Sequence, residues 1–192
     1  RTLEPIALLK VVDADGEVLY QFEQPVERRV VASEFTSLVT SILSNGKNQC
    51  ITYGACYALA MPDGRPSAAK TGTSEPYEDS RKIGETWTLG YTPYLVGGAW
   101  IGNADNQPMV DISSAGASTT VWKSFMVFAS EYLELPASPF FDDPSVVERE
   151  VCWPSGRLPT DICPQINRYT SLYASAVLPQ DDDDLPDFED SW

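Results

Sequence analysis

Two apolar segments near the start of the chain predict a β-hairpin, and the next periodic segment predicts a helix. Residues 6–12 (IALLKVV) and 17–22 (EVLYQF) are rich in strand-forming residues and are joined by Asp-Ala-Asp-Gly, a sequence typical of hairpin turns. Residues 33–46 have apolar side chains at helical spacing, with Ser33 suited to the N-cap and Gly46 to the C-terminal end. Those apolar residues are Phe35, Leu38, Val39, Ile42 and Leu43. We expect this helix to belong to the core.

The middle of the chain predicts a three-stranded antiparallel sheet followed by a second helix. Strands are expected at about 67–73, 86–91 and 94–101, and the short connections between them favour antiparallel pairing. A charged segment, 74–85, is expected to be a loop between the first two strands. A helix is expected at about 118–134, with one apolar face that packs on the sheet. That face comprises Trp122, Phe125, Met126, Ala129, Tyr132 and Leu133.

Two tryptophans lie in neighbouring predicted strands. Trp87 and Trp100 could each border a substrate groove, but packing in the core or between helix and sheet is the simpler interpretation. We therefore expect both side chains to be buried.

The character of the chain changes after Leu135. Prolines interrupt residues 136–178, where only 146–153 (VVEREVCW) predicts a short strand. The chain then divides into 1–135, a Pro-rich extension at 136–178, and an acidic tail at 179–192. Residues 181–192 hold seven acidic and no basic residues, which is typical of a solvated, disordered end; a tail that binds a partner is the alternative.

Charge and composition exclude several classes of function. A formal net charge of -15 argues against nucleic acid binding, which depends on clustered Lys and Arg. The chain has no histidine, which excludes Ser-His-Asp and Cys-His catalysis within it and the commonest zinc and copper sites. No apolar run is long enough for a membrane span. Because the chain begins Arg-Thr-Leu without methionine, we expect it to be a piece of a longer protein.

The four cysteines form two close pairs in sequence. Cys50 and Cys56 lie in CITYGAC, and Cys152 and Cys163 lie in CWPSGRLPTDIC. Gly or Pro turns within each segment can bring its ends together, so two local disulfides are expected and an oxidising compartment is indicated. A zinc site of four thiolates and four reduced thiols are the alternatives.

The segment 67–75 (SAAKTGTSE) places a lysine inside a strand of small residues. On a strand, Lys70 and Gly72 point to one face while Thr71 and Thr73 point to the other. Gly72 leaves room for a ligand or another backbone, and Lys70 supplies a positive charge that can attract a carboxylate or activate a neighbouring hydroxyl. The alternative is a solvated lysine on an edge strand.

This motif has characteristic neighbours, which carry a resemblance to a known family. Lys-Thr-Gly is one of three signatures of the serine acyl transferases that include penicillin-binding proteins and class A β-lactamases. GRPSAAKTGT is followed by ETWTLGYTPYLVGGAWIGNADNQPM, AGASTTVWKSFM and CWPSGRLPTDICP. Together these segments resemble the C-terminal part of the transpeptidase domain of class A penicillin-binding proteins, over residues 5–165.

The resemblance implies an α+β fold, a partial β-lactamase/transpeptidase-like fold in which helices pack on an antiparallel sheet and the N-terminal half of the domain is missing. Residues 1–135 would be the C-terminal portion of the transpeptidase domain. The implied activity is that of a D,D-transpeptidase, which cross-links peptidoglycan stem peptides by serine acyl transfer and binds penicillin and other β-lactams. No metal and no cofactor are implied.

The resemblance also implies roles for four residues. Lys70 would line the active site beside the nucleophile. Thr71, Gly72 and Thr73 would bind the substrate, the two hydroxyls holding its terminal carboxylate. The Thr73 amide would donate one hydrogen bond to the oxyanion hole.

The other two family signatures are not found in usable positions. Ser44 and Lys47 fit S-x-x-K but lie at a helix end, Ser67 and Lys70 overlap the Lys-Thr-Gly motif, and no serine is followed two positions later by asparagine. The nucleophile is therefore expected upstream of Arg1, and the isolated chain is expected to be inactive. Its expected partner is the upstream half of the same domain, on the extracytoplasmic face of the bacterial cell membrane, where the parent protein would be anchored. Without that half it would expose a sheet edge and an apolar face.

Three rival functions remain: a D,D-carboxypeptidase, a β-lactamase and a noncatalytic binding module. A D,D-carboxypeptidase or a β-lactamase would use water instead of an amine as the acyl acceptor, and the GYTP and WIGN segments favour the transpeptidase. A noncatalytic binding module of the cell envelope would keep the scaffold without the chemistry. A P-loop is excluded because no G-x-x-x-x-G precedes Lys70.

Overall fold

The computed structural model describes residues 6–23, 29–75, 78–79 and 81–179, without the side chain at position 51. The predicted acidic tail therefore lies outside the described residues, apart from its first position. Within the described ranges, no helix combines the length and apolar composition that crossing a membrane requires.

The predicted N-terminal hairpin is confirmed, with shorter strands than expected. Strand β1 (Lys10–Val12) pairs antiparallel with β2 (Val18–Gln21). The turn is held by Asp13, whose Oδ1 accepts hydrogen bonds from the backbone N–H groups of Asp15 and Glu17 at 3.0 and 2.9 Å. The Asp side chain thus replaces strand partners that the turn cannot provide.

The first predicted helix forms, but its ends differ from the prediction. Helix α1 (Ser33–Ser44) has Ala32 as its N-cap, so Ser33 is its first helical residue and not its cap. The helix ends before Gly46, which opens a short 3-10 turn, and α2 (Cys50–Tyr53) follows as a single helical turn.

The expectation that α1 belongs to the core is wrong for this chain. None of its side chains is buried. Phe35, Val39 and Ile42 are 40%, 52% and 58% exposed, although they follow helical spacing. The amphipathic pattern is present, but no described residue covers that face fully.

The predicted three-stranded sheet is confirmed. Strands β3 (Ala68–Ser74), β5 (Glu85–Tyr91) and β6 (Val96–Gly102) pair antiparallel in the order β3-β5-β6. The segment expected to be only a loop contains β4 (Lys82–Ile83), which pairs with β7 (Met109–Val110). Strand β3 is therefore one edge of the central sheet among the described strands.

Helix α3 (Ser118–Tyr132) packs on one face of this sheet through Trp122 and Met126, which are fully buried. A Cβ atom at Gly90 would lie 2.3 Å from the Trp122 ring, and one at Gly97 would lie 2.7 Å from the Met126 sulfur. Gly90 must therefore be glycine for the helix to approach the sheet this closely, whereas a side chain at Gly97 would require the flexible Met126 side chain to shift. The Trp122 Nε1 also donates a hydrogen bond to the Gly97 carbonyl at 3.1 Å.

The other members of the predicted apolar face of α3 are placed differently. Ala129 is buried, as expected, but Phe125, Tyr132 and Leu133 are 49%, 77% and 52% exposed. Tyr132 stacks instead on Phe128, with ring centroids 6.1 Å apart.

The C-terminal extension contains a hairpin of which the sequence predicted only one strand. Strand β8 (Val146–Cys152) pairs antiparallel with β9 (Arg168–Ala174). A disulfide joins Cys152, the last residue of β8, to Cys163 in the connection between the two strands. Strand β9 (RYTSLYA) contains polar residues that alternate only weakly with apolar ones, which hid it in the sequence.

Replacing Trp122 with alanine is expected to lower the free energy of unfolding by about 3–5 kcal/mol, because truncation of a fully buried side chain loses apolar burial and leaves a cavity. Urea-induced unfolding measures this difference. The matched control is Trp153→Ala, at a side chain that is 64% exposed, where a change below about 1 kcal/mol is expected. Equal losses in both variants would contradict the proposed packing.

Candidate functional site

The pairing of β3 with β5 places Lys70 and Gly72 on one face of the sheet. Lys70 lies opposite Leu89, and Gly72 lies opposite Trp87. Directly opposed residues in antiparallel strands share a face, and Trp100 of β6 lies opposite Trp87 on that same face. We call this surface, formed by these five residues, the open face.

The open face is apolar and largely uncovered. Trp87, Leu89 and Trp100 are 41%, 55% and 45% exposed, so the expectation that both tryptophans are buried is wrong. The two indole rings contact each other with centroids 6.4 Å apart, and Trp100 Nε1 donates a hydrogen bond to Glu85 Oε2 at 2.5 Å. The face is left uncovered because α3 packs on the opposite side of the sheet.

Lys70 is exposed beside this apolar surface. Its Nζ donates a hydrogen bond to the Thr71 carbonyl at 2.6 Å, which folds the ammonium group back along β3. The described residues of this chain therefore form only one side of the candidate site. It presents a positive charge and a strand edge, and Gly72 leaves the adjoining surface free of a side chain.

Thr71 and Thr73 lie on the other face of β3, opposite Thr88 and Thr86. Thr71 is 8% exposed, and its hydroxyl is hydrogen-bonded to the Tyr53 hydroxyl. Thr73, near the end of the strand, is exposed. The structure therefore does not bring the four residues of the motif onto one surface, and the two hydroxyls differ in accessibility.

A row of hydroxyl groups continues across this covered side of the sheet. The buried Thr88 Oγ1 lies 2.9 Å from Ser118 Oγ and 3.1 Å from Thr119 Oγ1, at the start of α3. These hydrogen bonds tie the middle strand of the sheet to the helix. They also satisfy polar groups that would be costly to bury alone.

The loop that contains Tyr53 is held by a disulfide between Cys50 and Cys56. Leu59 at its end is buried, and its backbone N–H donates to Gln49 Oε1 at 2.9 Å. Lys123 Nζ of α3 donates to the Ala58 carbonyl at 2.7 Å, and burial lowers the pKa of Lys123. The loop is thus joined to both the sheet and the helix.

The turn before β3 is fixed by an ion pair. Arg65 Nε lies 2.6 Å from Asp63 Oδ2, and Arg65 Nη1 donates to the Leu135 carbonyl at 3.4 Å. Burial raises the pKa of Asp63, but the hydrogen bonds and charge of Arg65 lower it more, so the net shift is downward. This pair connects the start of β3 to the segment after α3.

The serines of the two S-x-x-K strings are not placed like a nucleophile. Ser44 is the last residue of α1 and is exposed, and Ser67 directly precedes β3. The structure describes neither at the N-terminus of a helix. Sequence reasoning missed Tyr53, for which the only signal was its position between two cysteines expected to be bonded.

Comparison with known proteins finds penicillin-binding proteins among the relatives of this chain. Penicillin-binding protein 1A of Clostridium tetani is 28% identical over 182 residues, which cover 92% of this chain and 21% of the relative. Penicillin-binding protein 1A of Mycolicibacterium smegmatis is 32% identical over 149 residues, 71% of this chain and 17% of the relative. The chain thus spans about a fifth of the length of these curated relatives. No protein-family model matches it.

The fold has the same kind of neighbour. The crystal structure of penicillin-binding protein 1A from Haemophilus influenzae matches with a TM-score of 0.61 and 19% identity, over 92% of this chain and 30% of that chain. This similarity shows the fold, an α+β arrangement of the transpeptidase type, as predicted.

Asp63→Asn is expected to lower the free energy of unfolding at neutral pH by about 1 kcal/mol or less, because it removes the partner of Arg65. The folded-state pKa of Asp63 is lowered, so its contribution is present above the ordinary carboxyl pKa and is lost as pH falls through the folded-state value. The difference between wild type and variant should therefore shrink below about pH 4 in urea unfolding. The control is Asp142→Asn, at an exposed aspartate. A difference in the free energy of unfolding between wild type and Asp63→Asn that stays constant with pH would contradict the lowered pKa of Asp63.

Proposed function

The chain is homologous to a segment of the class A penicillin-binding proteins, and from this premise we propose that it forms one side of the active site of a D,D-transpeptidase that cross-links peptidoglycan. The observation that carries the proposal is the position of Lys70, on an edge strand and beside an uncovered apolar face. The same surface would accept penicillin and other β-lactams.

Lys70 supplies the positive charge next to the nucleophile. A serine from the upstream segment attacks the carbonyl carbon of a D-Ala-D-Ala peptide bond; an ester forms, the C–N bond breaks, and the leaving amine takes up a proton. The amine of a second stem peptide then attacks the ester and releases the serine. A cation within reach of the serine hydroxyl favours its deprotonation and attracts the substrate carboxylate.

The rest of the 70–73 segment binds the substrate. Gly72 leaves room for the peptide backbone at the strand edge, and the Thr73 amide donates to the oxyanion. The exposed Thr73 hydroxyl holds the terminal carboxylate together with Thr71. Support for this division comes from the exposure of Thr73 and from the edge position of β3.

The partner of this chain is the upstream half of the domain. Several apolar side chains on the open face and on α1 are left exposed, and β6 has a second edge without a strand partner among the described strands. Covering them with the nucleophile-bearing segment would close the site and bury these side chains. Two disulfides favour an extracytoplasmic location, at the membrane to which the parent protein is anchored.

A tagged penicillin tests the proposal directly. In the protein that joins this chain to its upstream segment, we expect a covalent mass increase on the upstream segment, and Lys70→Ala should slow acylation by about 100-fold or more. The matched control is Lys47→Ala, at an exposed lysine, which should acylate at the wild-type rate.

Other outcomes of this experiment would support a different nucleophile or one of the rival functions. Label on this chain would make Ser44 or Ser67 the nucleophile, and reversible binding without label would favour the noncatalytic module. Rapid release of the label to water would favour a carboxypeptidase or a β-lactamase.

The uncovered surfaces give a second prediction. The isolated 21.1 kDa chain is expected to self-associate, because its exposed sheet edge and apolar faces can pair with other copies. Sedimentation velocity should show species larger than the monomer, and the upstream segment should replace them with one discrete species. A monodisperse monomer of the isolated chain would contradict the need for a covering partner.

A further inference from the structure

We propose that Tyr53 is a positioning residue, which orients the Thr71 hydroxyl for the carboxylate of the substrate; this rests on the proposed function. The two hydroxyl groups are hydrogen-bonded across 18 positions of the chain. Thr71 is the second residue of the Lys-Thr-Gly motif, and Tyr53 comes from the disulfide loop on the covered side of the sheet.

The chemistry of the hydroxyl groups sets what this contact can do. A threonine hydroxyl has one proton and two lone pairs, and a tyrosine hydroxyl can donate or accept. A carboxylate only accepts hydrogen bonds, so Thr71 must keep its proton free in order to bind one. When Tyr53 donates to Thr71, the threonine keeps its own proton for a second acceptor, and a substrate carboxylate bound along the edge of β3 would be that acceptor.

No competing bond to the Thr71 hydroxyl occurs among the described residues. Thr88, directly opposite, uses its hydroxyl on Ser118 and Thr119. Tyr53 is therefore the group that sets the rotation of the Thr71 hydroxyl. Because Thr71 is only 8% exposed, bulk water contributes little to that orientation.

The surroundings of Tyr53 restrict its movement. Its ring packs against the core cluster that contains Trp122 and Met126. It ends the single turn of α2, and the chain then reverses at Gly54, which has a φ of 66°. The Cys50–Cys56 disulfide closes this seven-residue segment, so the phenol is held in place from both sides.

Tyr53→Phe in the protein joined to its upstream segment tests the inference. For a penicillin with a free carboxylate, the Kd of the noncovalent complex should rise about fivefold, the effect of one hydrogen bond, while the acylation rate constant stays within about twofold. Thr71→Val should act similarly, and the double variant should be no weaker than the single ones. A penicillin methyl ester should bind wild type and Tyr53→Phe equally.

The control is Tyr57→Phe, directly after the disulfide segment, because Tyr57 is 57% exposed and its hydroxyl forms no hydrogen bond with another described residue. It should leave the Kd unchanged. Cys50→Ser with Cys56→Ser should raise the Kd like Tyr53→Phe, since the loop is then released.

The outcomes separate the two proposals. A wild-type protein that penicillin does not acylate overturns the proposed function and this inference with it. Normal acylation with an unchanged Kd in Tyr53→Phe and Thr71→Val overturns only the inference. An equal loss for the free acid and the methyl ester also overturns it, because that result shows general disruption of the fold.

Discussion

The close approach of Trp122 to the central sheet is the constraint on which the rest of the structure depends. The ring lies against Gly90, where any side chain would clash, and its N–H group bonds to the Gly97 carbonyl. This contact commits one face of the sheet to α3. The side chains that alternate with the covered ones, including Lys70, must then point to the other face. The position of the candidate site therefore follows from where a helix packs on the reverse side.

Sequence alone predicted much of this arrangement, because alternation has a fixed period. The pattern predicted the three strands of the central sheet. It also predicted that Lys70 and Gly72 lie on one face and Thr71 and Thr73 on the other, which the register of β3 on β5 confirms. Alternation says which residues share a face, but not which face is covered. That is why the burial of Trp87 and Trp100 was predicted wrongly. The Tyr53–Thr71 contact was also beyond reach, since no periodic pattern relates a short disulfide loop to a strand 18 residues later.

The exposed apolar residues of α1 also show that a sequence pattern does not reveal whether an apolar face is covered. Phe35, Val39 and Ile42 have the spacing of a helix that packs on a hydrophobic partner, yet they remain 40–58% exposed. A sequence pattern is selected for the complete domain and persists in a segment considered alone. The mismatch between pattern and burial on α1 and on the open face thus agrees with the proposal that another segment covers both surfaces. One covering segment, as proposed above, would account for the exposed apolar residues on both surfaces.

The two disulfides are expected to contribute similarly to the stability of the fold, but they close segments with different contacts. The bonded cysteines are 6 and 11 positions apart, and this difference in loop length corresponds to only about 0.5 kcal/mol in the entropy that a cross-link removes from the unfolded chain. Entropy therefore does not distinguish them, and their effects depend on what each loop contacts. Cys152–Cys163 closes a connection in the C-terminal hairpin, whereas Cys50–Cys56 closes the segment whose Tyr53 contacts the motif strand. Loss of the first bond would act on the extension, and loss of the second would act on the proposed carboxylate site.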